Sequence, residues 1–129
     1  MIKNEIIKIA LNTKNVGLTN KYDFKSNLKN SFCGDKIELE LIVKNTKIDT
    51  MKYETEACVY CEASASLLST KIKNLNLTTI INELKLLKRL SKNEKLSFPR
   101  HFKDFKILIN KNNLKRMSCI NLPLDAVLK

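Results

Sequence analysis

Apolar residues in this chain change their spacing at Cys58, and this change limits the choice of fold. Between Tyr22 and Cys58, apolar and polar residues alternate, most clearly over residues 36–44, as in β-strands that bury one face. After Cys58, apolar residues recur every three or four positions, as in amphipathic helices. Strands followed by helices predict an α+β domain, with a small three-stranded antiparallel sheet and helices packed on one face of it.

The predicted elements follow from this spacing and from turn and cap residues. Strands are expected at residues 22–28, 36–44 and 48–57, and they would form an antiparallel meander with a turn at 45–47. Helices are expected from Ile2 to about residues 12–15, over 59–74, from a cap at Thr78 or Thr79 to Ser91, over 102–109, and over 114–128 with a break or bend at Pro123.

The length and charge of the chain narrow its class. Its 129 residues suit a single domain, residues 1–129. A formal net charge of +11 attracts nucleic acid and anionic membrane surfaces. The lysines are nevertheless spread among acidic residues, and no basic run carries the aromatic residues on which bases stack. We therefore expect no nucleic-acid partner.

The sequence also bears on the compartment. It contains no apolar stretch suited to a secretory signal, nor one approaching the roughly 18 residues of a membrane span. We therefore expect a cytoplasmic protein with no membrane partner. In a reducing compartment the four cysteines are expected to be thiols, metal ligands or redox groups rather than a disulfide framework.

Two cysteines stand at the ends of predicted strands. Cys33 precedes the second strand in the turn Cys33-Gly34-Asp35, and Cys58 follows the third strand at the start of a helix. These two points meet at one edge of a meander, because the two strands run in opposite directions. Gly34 permits a turn that sets the Asp35 carboxylate beside the thiol, and a helix N-terminus favours negative charge on Cys58. Cys119 would reach them from the last helix.

The residues alone leave the roles of the cysteines open. Three thiols and a carboxylate form a mixed metal site, whereas a single cysteine is most often a small buried apolar residue. Cys61, one helical turn after Cys58, is a spare ligand, a resolving thiol or a packed residue. His101 is expected to be a surface or partly packed loop residue. The lysines of residues 85–95 are expected to form a solvated helix face, on which an acidic partner could dock.

Three segments carry the cysteines in a recognisable order. They read NSFCGDKI at residues 30–37, EACVYCEASAS at 56–66 and RMSCINLPLDAV at 116–127. Their order and spacing resemble the three ligand motifs of the U-type iron–sulfur cluster assembly scaffolds, the NifU N-terminal, IscU and SufU family. Asn15-Val16-Gly17 is also similar to a tripeptide that precedes the first strand in that family.

The resemblance implies a SufE/NifU-like fold and a scaffold or carrier rather than an enzyme. It implies that Cys33, Cys58 and Cys119 are ligands of a transient iron–sulfur cluster, of the [2Fe–2S] type, or of zinc. Asp35 would be the oxygen ligand that keeps the site labile. Such a scaffold binds iron, accepts sulfur with a cysteine desulfurase as partner, and transfers the cluster to apo iron–sulfur proteins.

The chain also departs from part of this family. Isc-type members carry a histidine before the third cysteine, where this chain has Ser118, and it lacks their Leu-Pro-Pro-Val-Lys type segment for a dedicated chaperone. These two departures, together with Arg116 just before the third cysteine, look like the Suf-type branch. That resemblance implies an alternative function as a zinc-dependent sulfurtransferase. Cys119 would then accept persulfide sulfur, and Arg116 would stabilise its negative charge. A further alternative is a zinc-stabilised interaction module that keeps the fold without the chemistry.

Overall fold

The structure is a computed structural model that describes residues 3–30, 34–90 and 97–128. Several residues named in the predictions lie outside these ranges. Among them are Ile2 and Ser91, which were expected at the ends of two helices, and Lys92 and Lys95 of the predicted lysine face. None of the described helices is both long and apolar enough to cross a membrane. The elements are α1 (Asn4–Leu11), β1 (Phe24–Lys29), β2 (Lys36–Lys44), β3 (Lys47–Glu56), α2 (Val59–Lys71), α3 (Leu77–Leu90), two 3-10 helices (Arg100–Ile107 and Lys111–Arg116) and α4 (Met117–Leu128).

The three strands pair in the order β1-β2-β3, and both pairs are antiparallel. This arrangement confirms the predicted meander. β2 and β3 are joined by Asn45 and Thr46, whose φ angles are both positive, at 54° and 65°. Two consecutive positive φ angles give a two-residue turn the hand that matches the twist of the strands it joins. The bounds of β2 agree with the prediction, because its alternation is the most regular in the chain.

One face of the sheet carries the core, and the helices cover that face. α2 lies in the helical layer in contact with α1, α4 and β3. Every residue from Tyr60 to Ser69 of α2 is buried except Glu62, which is typical of a helix enclosed by other elements. The predicted α+β architecture is therefore confirmed. The buried apolar residues on the sheet are Ile37, Leu39, Leu41, Ile48, Met51 and Tyr53.

Two loop segments hydrogen-bond to the outer edge of β3. The Gly17 N–H donates to the Tyr53 carbonyl (2.9 Å), and the Tyr53 N–H donates to the Asn15 carbonyl (3.2 Å). Nearer the start of the strand, the Ile48 N–H donates to the Leu75 carbonyl (2.9 Å). β3 is the last strand of the sheet, yet its edge is covered at two places.

α3 is capped by a residue that the sequence analysis did not select. The Thr79 N–H donates to Oδ1 of Asn76 at 2.8 Å, so the cap is Asn76, and the predicted cap at Thr78 or Thr79 was wrong. Asn, Ser, Thr and Asp compete closely for cap positions, and several of them are adjacent here. The tertiary packing of the preceding loop decides among them.

The C-terminal region also differs from the prediction. Residues 100–107 and 111–116 form 3-10 helices, where a short helix over 102–109 and the start of the last helix were expected. Over such short segments the apolar spacing does not distinguish a 3-10 helix from an α-helix. α4 continues through Pro123, so the helix is not broken there. Pro123 has no N–H to donate to the Cys119 carbonyl, and its neighbours Leu122 and Leu124 are buried.

Candidate metal centre

The turn between β1 and β2 positions the carboxylate of the site. The Asn30 N–H donates to the Asp35 carbonyl (2.7 Å), and the Gly34 N–H donates to the Asn30 carbonyl (2.8 Å). Gly34 has a φ of +73°, a left-handed conformation that side chains with a Cβ rarely adopt. This turn places Asp35, which is 5% exposed, just before β2. Cys33 lies outside the described residues.

The strand-to-helix junction after β3 positions the first thiol. Cys58 is the N-cap residue of α2, with extended backbone angles of φ −70° and ψ 166°. Its N–H donates to Oδ1 of Asp35 at 3.2 Å. Asp35 therefore binds the start of α2 directly, and this bond ties the carboxylate to the segment that carries the thiol.

The packing of α4 on α2 places the second thiol, that of Cys119, near Cys58. Cys119 lies in the first turn of α4 and is 3% exposed. The segment 63–66 of α2 consists only of Ala and Ser, and such small residues let a neighbouring helix approach closely. Ser64 Oγ donates to the Ile120 carbonyl at 2.7 Å. This buried bond fixes the residue next to Cys119 against α2.

Three of the four predicted ligands converge. One carboxylate oxygen of Asp35 and the Sγ atoms of Cys58 and Cys119 all lie within 4.8 Å of one another. Ligand atoms of a tetrahedral ion with bond lengths of about 2.0–2.3 Å stand roughly 3.3–3.8 Å apart, so a modest contraction closes the site around an ion. Two sulfurs and a carboxylate oxygen are a donor set that suits zinc or iron bound with sulfur.

Glu62 adds a second carboxylate near this group. Burial raises the pKa of the Glu62 carboxyl, and the neighbouring Asp35 carboxylate raises it further. The Glu62 N–H donates to the Cys58 carbonyl at 3.1 Å. A cation bound by Asp35 would offset the repulsion between the two carboxylates. The sequence analysis missed Glu62, although its position four residues after Cys58 places the two on one helix face.

Arg116 connects the segment before α4 with the first turn of α2. Its guanidinium carbon lies 5.6 Å from the ring centroid of Tyr60, within the range of a cation–π contact. Tyr60 is 8% exposed and follows Cys58 by two residues. Arg116 therefore contacts the first turn of α2 from the segment just before α4. Ser118, beside Cys119, is exposed.

The other residues considered in the sequence lie outside the converging group. Cys61 has no exposed surface and belongs to the hydrophobic core. His101 lies on the surface, where its Nδ1 is 2.7 Å from Oε2 of Glu83 and its backbone N–H donates to Oε1. His101 was predicted to be a surface or partly packed loop residue; it is exposed, as expected, but it lies in the 3-10 helix Arg100–Ile107 and not in a loop. Part of the predicted lysine face is described, and there Lys88 pairs with Asp125 at 2.5 Å.

Comparison with known families agrees with this geometry. The family model described as the NifU-like N terminal domain matches residues 1–110, most of the chain. The chain belongs to this family. The match confirms the family predicted from the sequence. It ends before the third cysteine segment at residues 116–127, and Cys119 is placed beside Asp35 and Cys58 by the structure.

Solved structures share the fold of this NifU-like domain. A crystal structure of the N-terminal part of a NifU-like protein from Brucella abortus superposes with a TM-score of 0.86 at 20% identity, covering 98% of this chain and 88% of that one. A putative iron–sulfur cluster assembly scaffold protein for the SUF system from Fervidobacterium islandicum AW-1 gives the same TM-score and identity, covering 98% and 96%. A search of curated proteins found no match.

Proposed function

We propose that this NifU-like domain is an iron–sulfur cluster assembly scaffold, which binds iron and accepts sulfur at Asp35, Cys58 and Cys119. Cys33 is the fourth ligand in this proposal. The convergence of the three described ligand atoms within 4.8 Å carries it. The relative from Fervidobacterium, described as a putative scaffold for the SUF system, supports the same assignment.

The donor set suits temporary binding of a [2Fe–2S] cluster. Thiolates hold iron–sulfur clusters, whereas a carboxylate is a harder donor that binds the cluster iron less firmly. Asp35 also accepts the Cys58 N–H, so its oxygens are shared between the helix and the metal site. Cys58 is partly exposed and offers a side from which a cluster enters and leaves. Such access suits a carrier, because a carrier must release its cluster to another protein.

The proposed partners are a cysteine desulfurase and apo iron–sulfur acceptor proteins. The proposed compartment is the cytoplasm, where the site thiols stay reduced.

A zinc-dependent sulfurtransferase is the second candidate. Arg116 favours it, because a cation on the segment just before Cys119 would stabilise negative charge on a persulfide there. The only histidine of the chain, His101, is partnered by Glu83, and a Ser stands before Cys119 in place of an Isc-type His. In this case zinc would be held by the same residues, and Cys119 would accept sulfur from the desulfurase.

Anaerobic reconstitution separates the candidates. The purified chain is supplied with iron, cysteine and a desulfurase, and its metal content and visible spectrum are recorded. Cluster absorbance that transfers to an apo-ferredoxin supports the scaffold. Zinc without a cluster, together with faster desulfurase turnover, supports the sulfurtransferase. Zinc with neither activity indicates an interaction module.

Single substitutions test the site itself. Asp35→Asn, Cys33→Ser, Cys58→Ser and Cys119→Ser are each expected to abolish or strongly weaken cluster binding. Asp104→Asn is the matched control, since this carboxylate pairs with Lys71 on the surface at 2.6 Å. The proposed site is wrong if the Cys58 and Cys119 variants bind and transfer a cluster as the parent chain does.

A further inference from the structure

A second pair of thiols lies at the start of α2. Cys58 is the N-cap residue, and Cys61 is the third residue of the helix. In a capping box these two positions face each other: the N-cap side chain reaches toward the third residue, whose side chain reaches back toward the N-cap N–H. Here Asp35 from the β1–β2 turn accepts that N–H at 3.2 Å. The capping position of Cys61 therefore carries a thiol where a carboxylate or amide is usual.

The two thiols differ in exposure. Cys58 is partly exposed, whereas Cys61 has no exposed surface. A reagent from outside therefore reaches Cys58 first, and Cys61 reacts only with what Cys58 carries. Pairs of cysteines separated by two residues also occur at helix starts in thiol–disulfide exchange proteins. There the accessible thiol reacts first with the outside partner, and the shielded thiol then attacks the bond that forms. Among the described residues, the group of ligand atoms that lie close together consists of Asp35, Cys58 and Cys119 and does not include Cys61.

The spacing permits a bond between the pair. Residues three apart on a helix have Cβ atoms about 5–6 Å apart. Cys58 is the N-cap and lies outside the regular helix, so this helical spacing does not fix its distance from Cys61. A disulfide needs Cβ atoms about 3.5–4.5 Å apart. Cys58 has extended rather than helical backbone angles, and helix ends adjust more readily than helix interiors.

We infer that Cys61 is a resolving thiol that releases sulfide from a persulfide on Cys58. This inference rests on the proposed function, because it supplies the sulfide that cluster assembly consumes. The Cys58 thiolate first attacks the outer sulfur of a persulfide donor, the sulfur–sulfur bond of the donor breaks, and the donor leaves as a thiol. The Cys61 sulfur then attacks Sγ of Cys58, the bond between Sγ and the outer sulfur breaks, and the outer sulfur leaves with the bonding electrons.

The step is balanced in atoms and electrons. A Cys58 persulfide and a Cys61 thiol become a Cys58–Cys61 disulfide and hydrogen sulfide, which takes the Cys61 proton. The sulfane sulfur gains two electrons, and the two cysteine sulfurs give one each. A dithiol reductant then returns the pair to thiols. Cys58 becomes a metal ligand again only after this reduction, so sulfur release and metal binding alternate at one residue.

The competing explanation is that Cys61 is only a small buried apolar residue. The two explanations differ in the fate of sulfur on Cys58. A packing role leaves a persulfide in place, whereas a resolving role replaces it with a mapped disulfide and free sulfide.

The test uses the full chain, reduced and metal-free, treated with inorganic polysulfide as the persulfide donor. Released sulfide is measured, and disulfides are mapped by mass spectrometry after alkylation without reductant. The parent chain is expected to release sulfide and form a Cys58–Cys61 disulfide. Cys61→Ala is expected to keep the Cys58 persulfide, to form no disulfide at Cys58 and to release less sulfide than the parent chain.

Three results would overturn the inference. They are a stable Cys58 persulfide in the parent chain, a disulfide that maps to Cys58 and Cys119, and unchanged sulfide release by Cys61→Ala. Mapping on the parent chain is decisive even if the variant folds poorly. With iron and added inorganic sulfide, Cys61→Ala is expected to build a cluster as the parent does. If the parent builds none under these conditions, the proposed scaffold function fails, while the sulfide-release result still decides the role of Cys61.

Discussion

The Asp35 carboxylate both accepts a hydrogen bond that holds the fold and belongs to the candidate ligand group. One oxygen accepts the backbone N–H of Cys58, which ties the turn before β2 to the start of α2. A carboxylate oxygen also lies within 4.8 Å of the Sγ atoms of Cys58 and Cys119. Replacing Asp35 therefore affects the position of Cys58 as well as the ligand set, and loss of metal binding in an Asp35 variant has both causes.

Glu62→Gln is expected to stabilise the metal-free protein at neutral pH. Burial and then the Asp35 carboxylate raise the pKa of the Glu62 carboxyl, so its ionised form opposes folding. The parent chain therefore loses stability as the pH rises from the pKa of Glu62 in the unfolded state through its pKa in the folded state. The amide of the Glu62→Gln variant does not ionise, so the variant avoids this loss at neutral pH. The measurement is the urea midpoint at neutral pH and below the unfolded pKa, where the advantage should vanish.

Glu56→Gln serves as the control for this prediction, because Glu56 is an exposed carboxylate at the end of β3. It is expected to bring no gain in stability at either pH. A neutral-pH midpoint for Glu62→Gln at or below that of the parent would contradict the electrostatic account of this residue.

The residues of the site were predictable to different degrees. Asp35 and Cys58 follow from strand ends that meet at one sheet edge, which the alternating pattern of β2 and β3 reveals. Cys119 required the family resemblance, because its approach depends on how α4 packs and no local pattern encodes that packing. Glu62 was missed because a single acidic residue in a helix is usually on a solvated face.

At the scale of elements, the contact between α2 and α4 decides where the second thiol stands. Ser64 Oγ donates to the Ile120 carbonyl at 2.7 Å inside this contact, and Ser64 has no exposed surface. The small residues of α2 therefore act as spacers. Their size sets the distance between the two helices and, through Ile120, the position of Cys119.

Ser64→Val is expected to lower stability and to weaken zinc binding. Extra carbon atoms in a packed contact cost about 1–3 kcal/mol, and they push α4, which carries Cys119, away from α2. Ser64→Ala is the matched variant, since it loses one hydrogen bond, worth about 0.5–1.5 kcal/mol, without added volume.

Urea unfolding and zinc competition with a chelator measure the two effects separately. The spacer account expects zinc affinity to fall in Ser64→Val and to stay near the parent value in Ser64→Ala. Equal zinc affinity in all three proteins would show that helix spacing does not control the site.

Elements with a strong local pattern were predicted best. β2 has four alternating apolar positions, with Glu38, Glu40 and the apolar Ile42 between them, and its bounds agree with the prediction. The 3-10 helices and the Asn76 cap were not predicted, since several structures are nearly equal in local energy there and the surrounding packing selects one. Pro123 was expected to break or bend the last helix, but burial of the flanking Leu122 and Leu124 favours a continuous α4.

At the scale of the whole molecule, the site is assembled from distant parts of the chain. Asp35, Cys58 and Cys119 belong to the β1–β2 turn, the start of α2 and the start of α4. The unfolded chain does not hold these groups together. Metal binding is therefore coupled to folding of the entire domain.

Zinc is expected to raise the unfolding midpoint of the parent chain. A ligand at a hundredfold excess over its dissociation constant adds about 2.7 kcal/mol if it binds only the folded state. Cys58→Ser and Cys119→Ser are expected to lose most of this shift, and Asp104→Asn to retain it. Thermal unfolding with and without zinc gives the comparison, and an equal shift in the cysteine variants would place the zinc elsewhere.

The covered edge of β3 has a consequence for association between copies. Asn15, Gly17 and Leu75 take up backbone groups of β3 that another strand would need. A continuous sheet through two molecules would therefore have to form along β1, where Lys25 and Lys29 are exposed. Lysines on an edge strand repel a second identical edge. Extension of the sheet into a second molecule is therefore blocked at the β3 edge by loop segments of the same chain. At the β1 edge it is opposed by repulsion between lysines.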